Sequence, residues 1–217
     1  MIYRRLFIFL MLAMTLMGQN FQVHYEASAQ REYVVTTLEM FKPDAYGSTF
    51  WFVDMEYDLP NSKGMSLAYW EIARYFNLPV NNLSLTLQYN DGAATFGPLG
   101  QVWLAGINYY LNIGGVGLPV DILYRASTGA NSPDFQFTTT WLVPFLDGHL
   151  EFAGFLDIWS QDSGVDTKDI VVLAEPQLWY TINEQVAVGT EIEMSKNFIF
   201  GSDGIQTLPT LAFRWNF

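Results

Sequence analysis

The ionisable side chains of this chain recur at every second position: His24 and Glu26, Asp54 and Glu56, Glu191 and Glu193. In an extended backbone, residues two apart point to the same side. Such carboxylate pairs could share a metal ion, or they could wet one face of a sheet. Taking the wetter parity of each extended run gathers His24, Glu26, Glu39, Asp54, Glu56, Glu71, Asp121, Arg125, Glu151, Asp157, Glu175, Glu191, Glu193 and Arg214. Phe50 and Phe52 share the parity of Asp54. Carboxylates outnumber cations in this set. Lining a narrow aqueous tube, they would focus a negative potential that admits cations and neutral polar solutes and repels anions. The alternative is a lumen filled by its own salt bridges.

Catalytic patterns are not found. There are two histidines: His149 falls at an expected turn, and His24 lies near the chain start with Glu26 on its face. No serine spacing marks a nucleophile for either, so the expectation is that the chain is not an enzyme. The segment DSGVDTKD brings Asp162, Asp166 and Asp169 together but lacks the spacing and terminal glutamate of a calcium loop. It reads as a solvated loop, and no metal or cofactor is expected.

The elements that would position these residues are strands. Twelve runs recur, at about 20–27, 32–42, 48–58, 65–76, 83–90, 101–112, 117–127, 134–144, 149–160, 169–182, 186–196 and 206–217. Leu83, Leu85, Leu87 and Tyr89 alternate with Ser84, Thr86, Gln88 and Asn90, a period of two that a helix would not keep. Pro176 and Pro209 inside two runs predict bulges or lost ladder bonds. Arg74 opposes Glu71 in parity, which predicts a bulge or a side chain that snorkels to the membrane edge. KPDAYGS, NLPVNN, NIGGVG, FLDGH and INEQ are expected as short turns at one end. NDGAATFGPLG, SQDSGVDTKD and SKNFIFGSDGI are expected as the long loops at the other.

Composition agrees with a membrane barrel. Half the residues are hydrophobic and 17% are aromatic, yet after the first segment no apolar run approaches the roughly 18 residues of a spanning helix. The expected fold is therefore a single-chain, twelve-stranded, transmembrane antiparallel β-barrel over 19–217. Residues 1–18, with Arg4 and Arg5 ahead of an apolar stretch, read as a signal peptide. With it removed, the formal charge moves from −12 to −14, which argues against nucleic acid. The chain has no cysteine and relies on no disulfide. At the other terminus, Phe213, Trp215 and Phe217 fall on one parity. A terminal strand with one greasy face needs a partner to close over it, and these three are expected to be read by the barrel assembly machinery.

The ordered set YVVTTLEMFKPDAYGSTFWFVDM, SLAYWEIARYF, WLAGINYYLNI, GLPVDILYRA, VPFLDGHLEFAGFLDIWSQD and terminal WNF resembles the nucleoside-specific outer-membrane channels of the Tsx type. It resembles still more a group of short outer-membrane proteins of Bacteroides-like bacteria related to them. The resemblance implies a monomeric twelve-stranded barrel whose lumen holds nucleosides weakly. The matching positions are Glu39, Asp54 and Glu71, with Phe50 and Phe52 as candidate stacking faces. The loops over the mouth are shorter here than in typical Tsx-type channels. The expected function is a diffusion channel in a Gram-negative outer membrane, with both termini periplasmic. Its solutes are small, neutral or cationic, with nucleosides favoured. Its partners are membrane lipid, the assembly machinery and the solute. The rival expectations are a closed structural or adhesive barrel working through its loops, and an outer-membrane lipid enzyme.

Overall fold

The computed structural model describes residues 18–27, 32–58, 64–199, 201–202 and 204–217. All but one residue of the expected signal peptide lie outside them. Twelve strands run β1 Gln19–Ala27, β2 Glu32–Asp44, β3 Gly47–Asp58, β4 Leu67–Asn77, β5 Leu83–Ala94, β6 Val102–Ile113, β7 Val116–Ser127, β8 Asp134–Phe145 and β9 Leu150–Gly164. They continue with β10, in two pieces Thr167–Ala174 and Gln177–Thr181, then β11 Val186–Lys196 and β12 Ile205–Asn216. Every neighbouring pair is antiparallel, and β1 pairs with both β2 and β12, so the sheet closes. Closure removes the edges that a lone terminal strand would expose, and it pairs the backbone groups that hydrocarbon cannot satisfy.

Register fixes the tilt. Stepping across the pairs Gln22, Thr37, Asp54 and Tyr69, and on around the wall, the walk meets β1 again about 16 residues away, the stagger of strands tilted by roughly 40°. Residues level with one another along the barrel axis are therefore offset from their ladder partners.

Alternation sorts the two faces. Leu85, Leu87, Ile107, Ile122 and Leu211 are exposed on the outside, where their apolar surface suits lipid. Toward the loop end the exterior carries a row of rings, Trp70, Tyr89 and Trp103, with centroids 5.1 and 4.6 Å apart. Toward the terminal end Trp215 and Phe217 are in contact at 5.3 Å. Two aromatic girdles flanking an apolar band are what a bilayer's interfaces favour. Arg74 points outward, as its parity requires, and reaches the turn at Asp44 with 2.6 Å between Nη1 and Oδ2. It snorkels; β4 has no bulge. The Arg74 hydrogen bond is the main cause that holds the exposed Asp44 carboxyl down at a pKa of about 2.

The long-loop expectation needs two corrections. SQDSGVDTKD is no loop, because β9 and β10 continue through it as a hairpin turning at Val165 and Asp166, with a register shift at Asp162/Gly164. Its rim is clamped: Lys168 Nζ lies 2.6 Å from Asp134 and 3.0 Å from Asp162, and Asp162 Oδ2 accepts the Asn131 backbone N–H at 2.6 Å. NDGAATFGPLG is likewise shortened, as β5 runs to Ala94 and Gly97–Pro98 folds back to pair with it.

The two prolines differ. Pro176 divides β10, and Gly154 opposite it takes φ +147°, a conformation open to glycine, where an added Cβ would press on the Trp141 ring. Pro209 makes no break: the β11–β12 register passes through it unaltered. On the other flank the β1–β12 ladder stops at Tyr25–Leu211 although β1 runs on to Ala27, which the register places opposite Pro209, so the lost ladder bond falls there.

Candidate functional site

Every ionisable side chain expected in the lumen is on the inner parity, because the register carries one face continuously around the wall: Glu39 opposite Phe52, Asp54 opposite Tyr69, Asp121 opposite Thr138, Glu151 opposite Trp179, Glu191 opposite Thr210. Phe50 and Phe52 are on it too.

At mid-height five carboxylates face one another. Asp54 (β3), Glu71 (β4), Asp157 (β9), Glu175 (β10) and Glu191 (β11) fall at one level once the tilt is allowed for. They interact electrostatically across the lumen, Glu71 with Asp157, and Glu175 with both Asp54 and Glu191. All five are half-buried: protein surrounds them, yet solvent reaches them. Neutral donors hold three of them in place. Thr37 Oγ1 donates to Asp54 at 2.5 Å, Gln177 Nε2 to Glu191 at 2.5 Å, Asn90 Nδ2 to Glu71 at 2.8 Å, and the Tyr69 hydroxyl also donates to Glu71. Such donors orient the carboxylates without cancelling their charge. Among the described residues no three acidic or histidine groups converge closely enough to chelate a metal ion.

His24 sits beside this ring and is almost wholly enclosed. Gln22 gives its amide nitrogen to Asn20, so its Oε1, 2.9 Å from His24 Nε2, accepts the Nε2–H. Nδ1 lies 3.2 Å from the Thr210 hydroxyl and 3.5 Å from Glu191 Oε1. Among the described residues no serine hydrogen-bonds to it. His149 follows the 3₁₀ turn Leu146–Gly148, as a turn residue.

Two arginine–tryptophan stacks lie on either side of the ring. Toward the termini, Arg214 is 4.6 Å over the Trp179 ring and donates to Glu151 at 2.8 Å. Trp179 is fully enclosed, edge-on to His24 at 5.9 Å, and its Nε1–H is taken by Gln177. Gly189 makes room for it: a Cβ there would lie 2.7 Å from the ring. Glu39 accepts from Asn20 at 2.7 Å in the same layer. Toward the loops, Arg125 lies 5.1 Å from the Trp159 ring and donates to Gln136 at 2.7 Å. Glu56 and Glu193 are on the lumen wall on that side; Ser195 donates to Glu193 at 3.3 Å.

The wall is not evenly filled. Around Asp121, which accepts from Tyr75, Gln88 and Asn108 at 3.0, 2.9 and 2.6 Å, Leu104 and Leu123 are fully buried and the lumen is packed. The β2–β4 wall is more open and carries an aromatic row, Phe50 to Phe52 at 5.9 Å and Phe52 to Tyr69 at 6.0 Å. A flat solute could slide along these rings with its polar edge toward the carboxylates.

Selecting lumen residues by charge overlooked Tyr69, Asn90, Trp159 and Trp179. The signal was present as parity: Trp159 is two positions from Asp157, and Trp179 four from Glu175. Large aromatics on an inner face read as lipid-facing grease unless the face is fixed first.

A family model described as a domain of unknown function, DUF5020, matches residues 17–217. The chain belongs to that family. Among solved structures, the NanC porin is similar to this DUF5020 chain with a TM-score of 0.59 at 9% identity, covering 92% of this chain and 99% of that one. The outer membrane protein Omp33 of Acinetobacter baumannii aligns with a TM-score of 0.41 at 15% identity, over 92% and 97%. Comparison with curated protein sequences gives no match. At these identities the likeness to NanC concerns the fold, a closed antiparallel barrel of the outer-membrane porin type.

Proposed function

We propose that this DUF5020 barrel is a monomeric diffusion channel of a Gram-negative outer membrane. It passes small neutral or cationic polar solutes, nucleosides favoured, and is exported by the leader over residues 1–18 with its termini periplasmic. The observation that carries the reading is the half-buried ring of Asp54, Glu71, Asp157, Glu175 and Glu191. Five carboxylates that exist only to close a barrel would each meet a cation, as Glu151 meets Arg214. Four of these five have no ion pair within 4.0 Å among the described residues, and the fifth, Glu191, has only His24. A wet ring of uncompensated acids draws in cations and leaves uncharged solutes unopposed.

Nucleosides are favoured by the resemblance to Tsx-type channels and by the chemistry of the open wall. Phe50, Phe52 and Tyr69 offer stacking faces, and Asp54 and Glu71 offer acceptors for hydroxyl and amine hydrogens. Liposome swelling tests this directly: vesicles carrying the protein should admit adenosine and thymidine faster than uncharged sugars of similar size. Equal rates would leave a channel without nucleoside preference.

A second reading, a closed barrel working through its outer surface, is favoured by the packed wall at Leu104, Leu123 and Asp121 and by the rim clamp at Lys168. It requires that swelling not occur at all.

A further inference from the structure

At the upper edge of the carboxylate ring, to which Asp157 belongs, the lumen wall holds unspent hydrogen-bonding groups of both signs. Among the described residues five buried side-chain polar atoms have no hydrogen-bond partner, and three of them belong to this one level: Arg125 Nε, Asn90 Oδ1 and Asp157 Oδ1. A buried polar atom left without a partner is costly, so native proteins keep few of them. Here the orphans are a donor and two acceptors.

Their neighbours are fixed. Arg125 is stacked at 5.1 Å on Trp159 and gives one of its five N–H groups to Gln136. It interacts with Glu71 and Asp157 without forming an ion pair with either. Asn90, 4% exposed, has committed its amide nitrogen to Tyr69 and Glu71, at 3.1 and 2.8 Å, and so has only its carbonyl left to offer. A planar guanidinium with unused N–H groups suits a carboxylate. Acceptors with no donor suit an ammonium group. Trp159, buried beneath the guanidinium, holds Arg125 in this position.

We infer that the station formed by Arg125, Asn90, Asp157 and Trp159 binds a zwitterion of the α-amino acid class, its carboxylate on Arg125 and its ammonium group on Asp157 and Asn90. The inference rests on the channel reading above but not on its nucleoside preference. A zwitterion carries no net charge past the ring, yet satisfies orphans of both signs at once. An anion would meet the ring, and a simple cation would leave Arg125 unspent.

The test is block of ionic current through the reconstituted protein in a planar bilayer by leucine, leucinamide and N-acetylleucine, which are zwitterion, cation and anion on one side chain. Leucine should half-block at about a tenfold lower concentration than either relative, the factor corresponding to one charge-assisted hydrogen bond. Arg125→Gln should abolish that advantage, leaving leucine and leucinamide alike, while Lys42→Gln, which removes a cation from the exposed rim, should not. Persistence of the leucine advantage in Arg125→Gln, or its absence in the native protein, would overturn the inference while leaving the channel intact. No current at all from barrels that migrate as folded would overturn the channel reading and this inference with it.

Discussion

Replacing Glu175 and Glu191 together by glutamine removes two charges from the ring and keeps both side-chain volumes. In a wet lumen of effective dielectric about 40, a monovalent anion passing about 7 Å from one carboxylate is raised by about 1.2 kcal/mol. Two such carboxylates contribute about 2.4 kcal/mol. At 0.1 M salt, with a screening length of about 10 Å, roughly half survives, about 1.2 kcal/mol, or nearly tenfold in rate. At 1 M salt, with a screening length of about 3 Å, almost nothing survives. The assay is swelling of liposomes in adenosine or in its monophosphate. The native protein should admit the nucleoside much faster. The double variant should narrow the ratio by nearly tenfold per phosphate charge at 0.1 M and hardly at all at 1 M. An unchanged ratio, or a change that persists at high salt, would refute the electrostatic reasoning. In the latter case the glutamines act through shape.

Three further outcomes are expected. The rim clamp should hold across a wide pH range. The Asn131 N–H, with Lys168, depresses the Asp162 carboxyl, so its contribution is present above the ordinary carboxylate range and is lost as pH falls through the depressed value. Lys168 is raised by Asp134 and Asp162, so its contribution is lost as pH rises through the raised value. Protease cleavage at Val165–Asp166 should therefore stay low from about pH 5 to 9 and rise at both extremes; a rise confined to neutral pH would contradict the clamp. Deleting Phe217 should lower outer-membrane yield far more than Asn216→Ala, because Phe213, Trp215 and Phe217 form the outward terminal face while Asn216 is on the inner parity; equal yields would show that this face is not read during assembly. A cysteine at Val165 should label from outside intact cells and one at Glu184 should not, and the reverse would invert the barrel.

Much of the wall was legible because period-two alternation is a strong signal. Glu39, Asp54, Glu71, Asp157, Glu175 and Glu191 each stand out as a charge amid apolar neighbours, and lipid excludes them from the other face. The ring they form was not legible. It spans β3, β4, β9, β10 and β11, and only the tilt and stagger of the closed sheet bring those strands' carboxylates to one height. SQDSGVDTKD reads as a loop because Ser, Gly and Asp are turn formers. Cross-strand pairing and the bonds of Lys168 to Asp134 and Asp162 override that propensity. Pro209 shows the lost bond without the bulge: a proline costs a ladder bond only on the flank that its nitrogen faces, and which flank that is depends on the register of the closed sheet.

The central claim is that the lumen conducts and that its acids choose what passes. The most direct measurement is the reversal potential of single channels of the purified protein in a planar bilayer under a salt gradient. Discrete openings whose reversal potential shifts toward the cation equilibrium value are predicted, with the shift reduced in Glu175→Gln/Glu191→Gln. Silence from barrels that migrate as folded, or a shift toward the anion value, would contradict it.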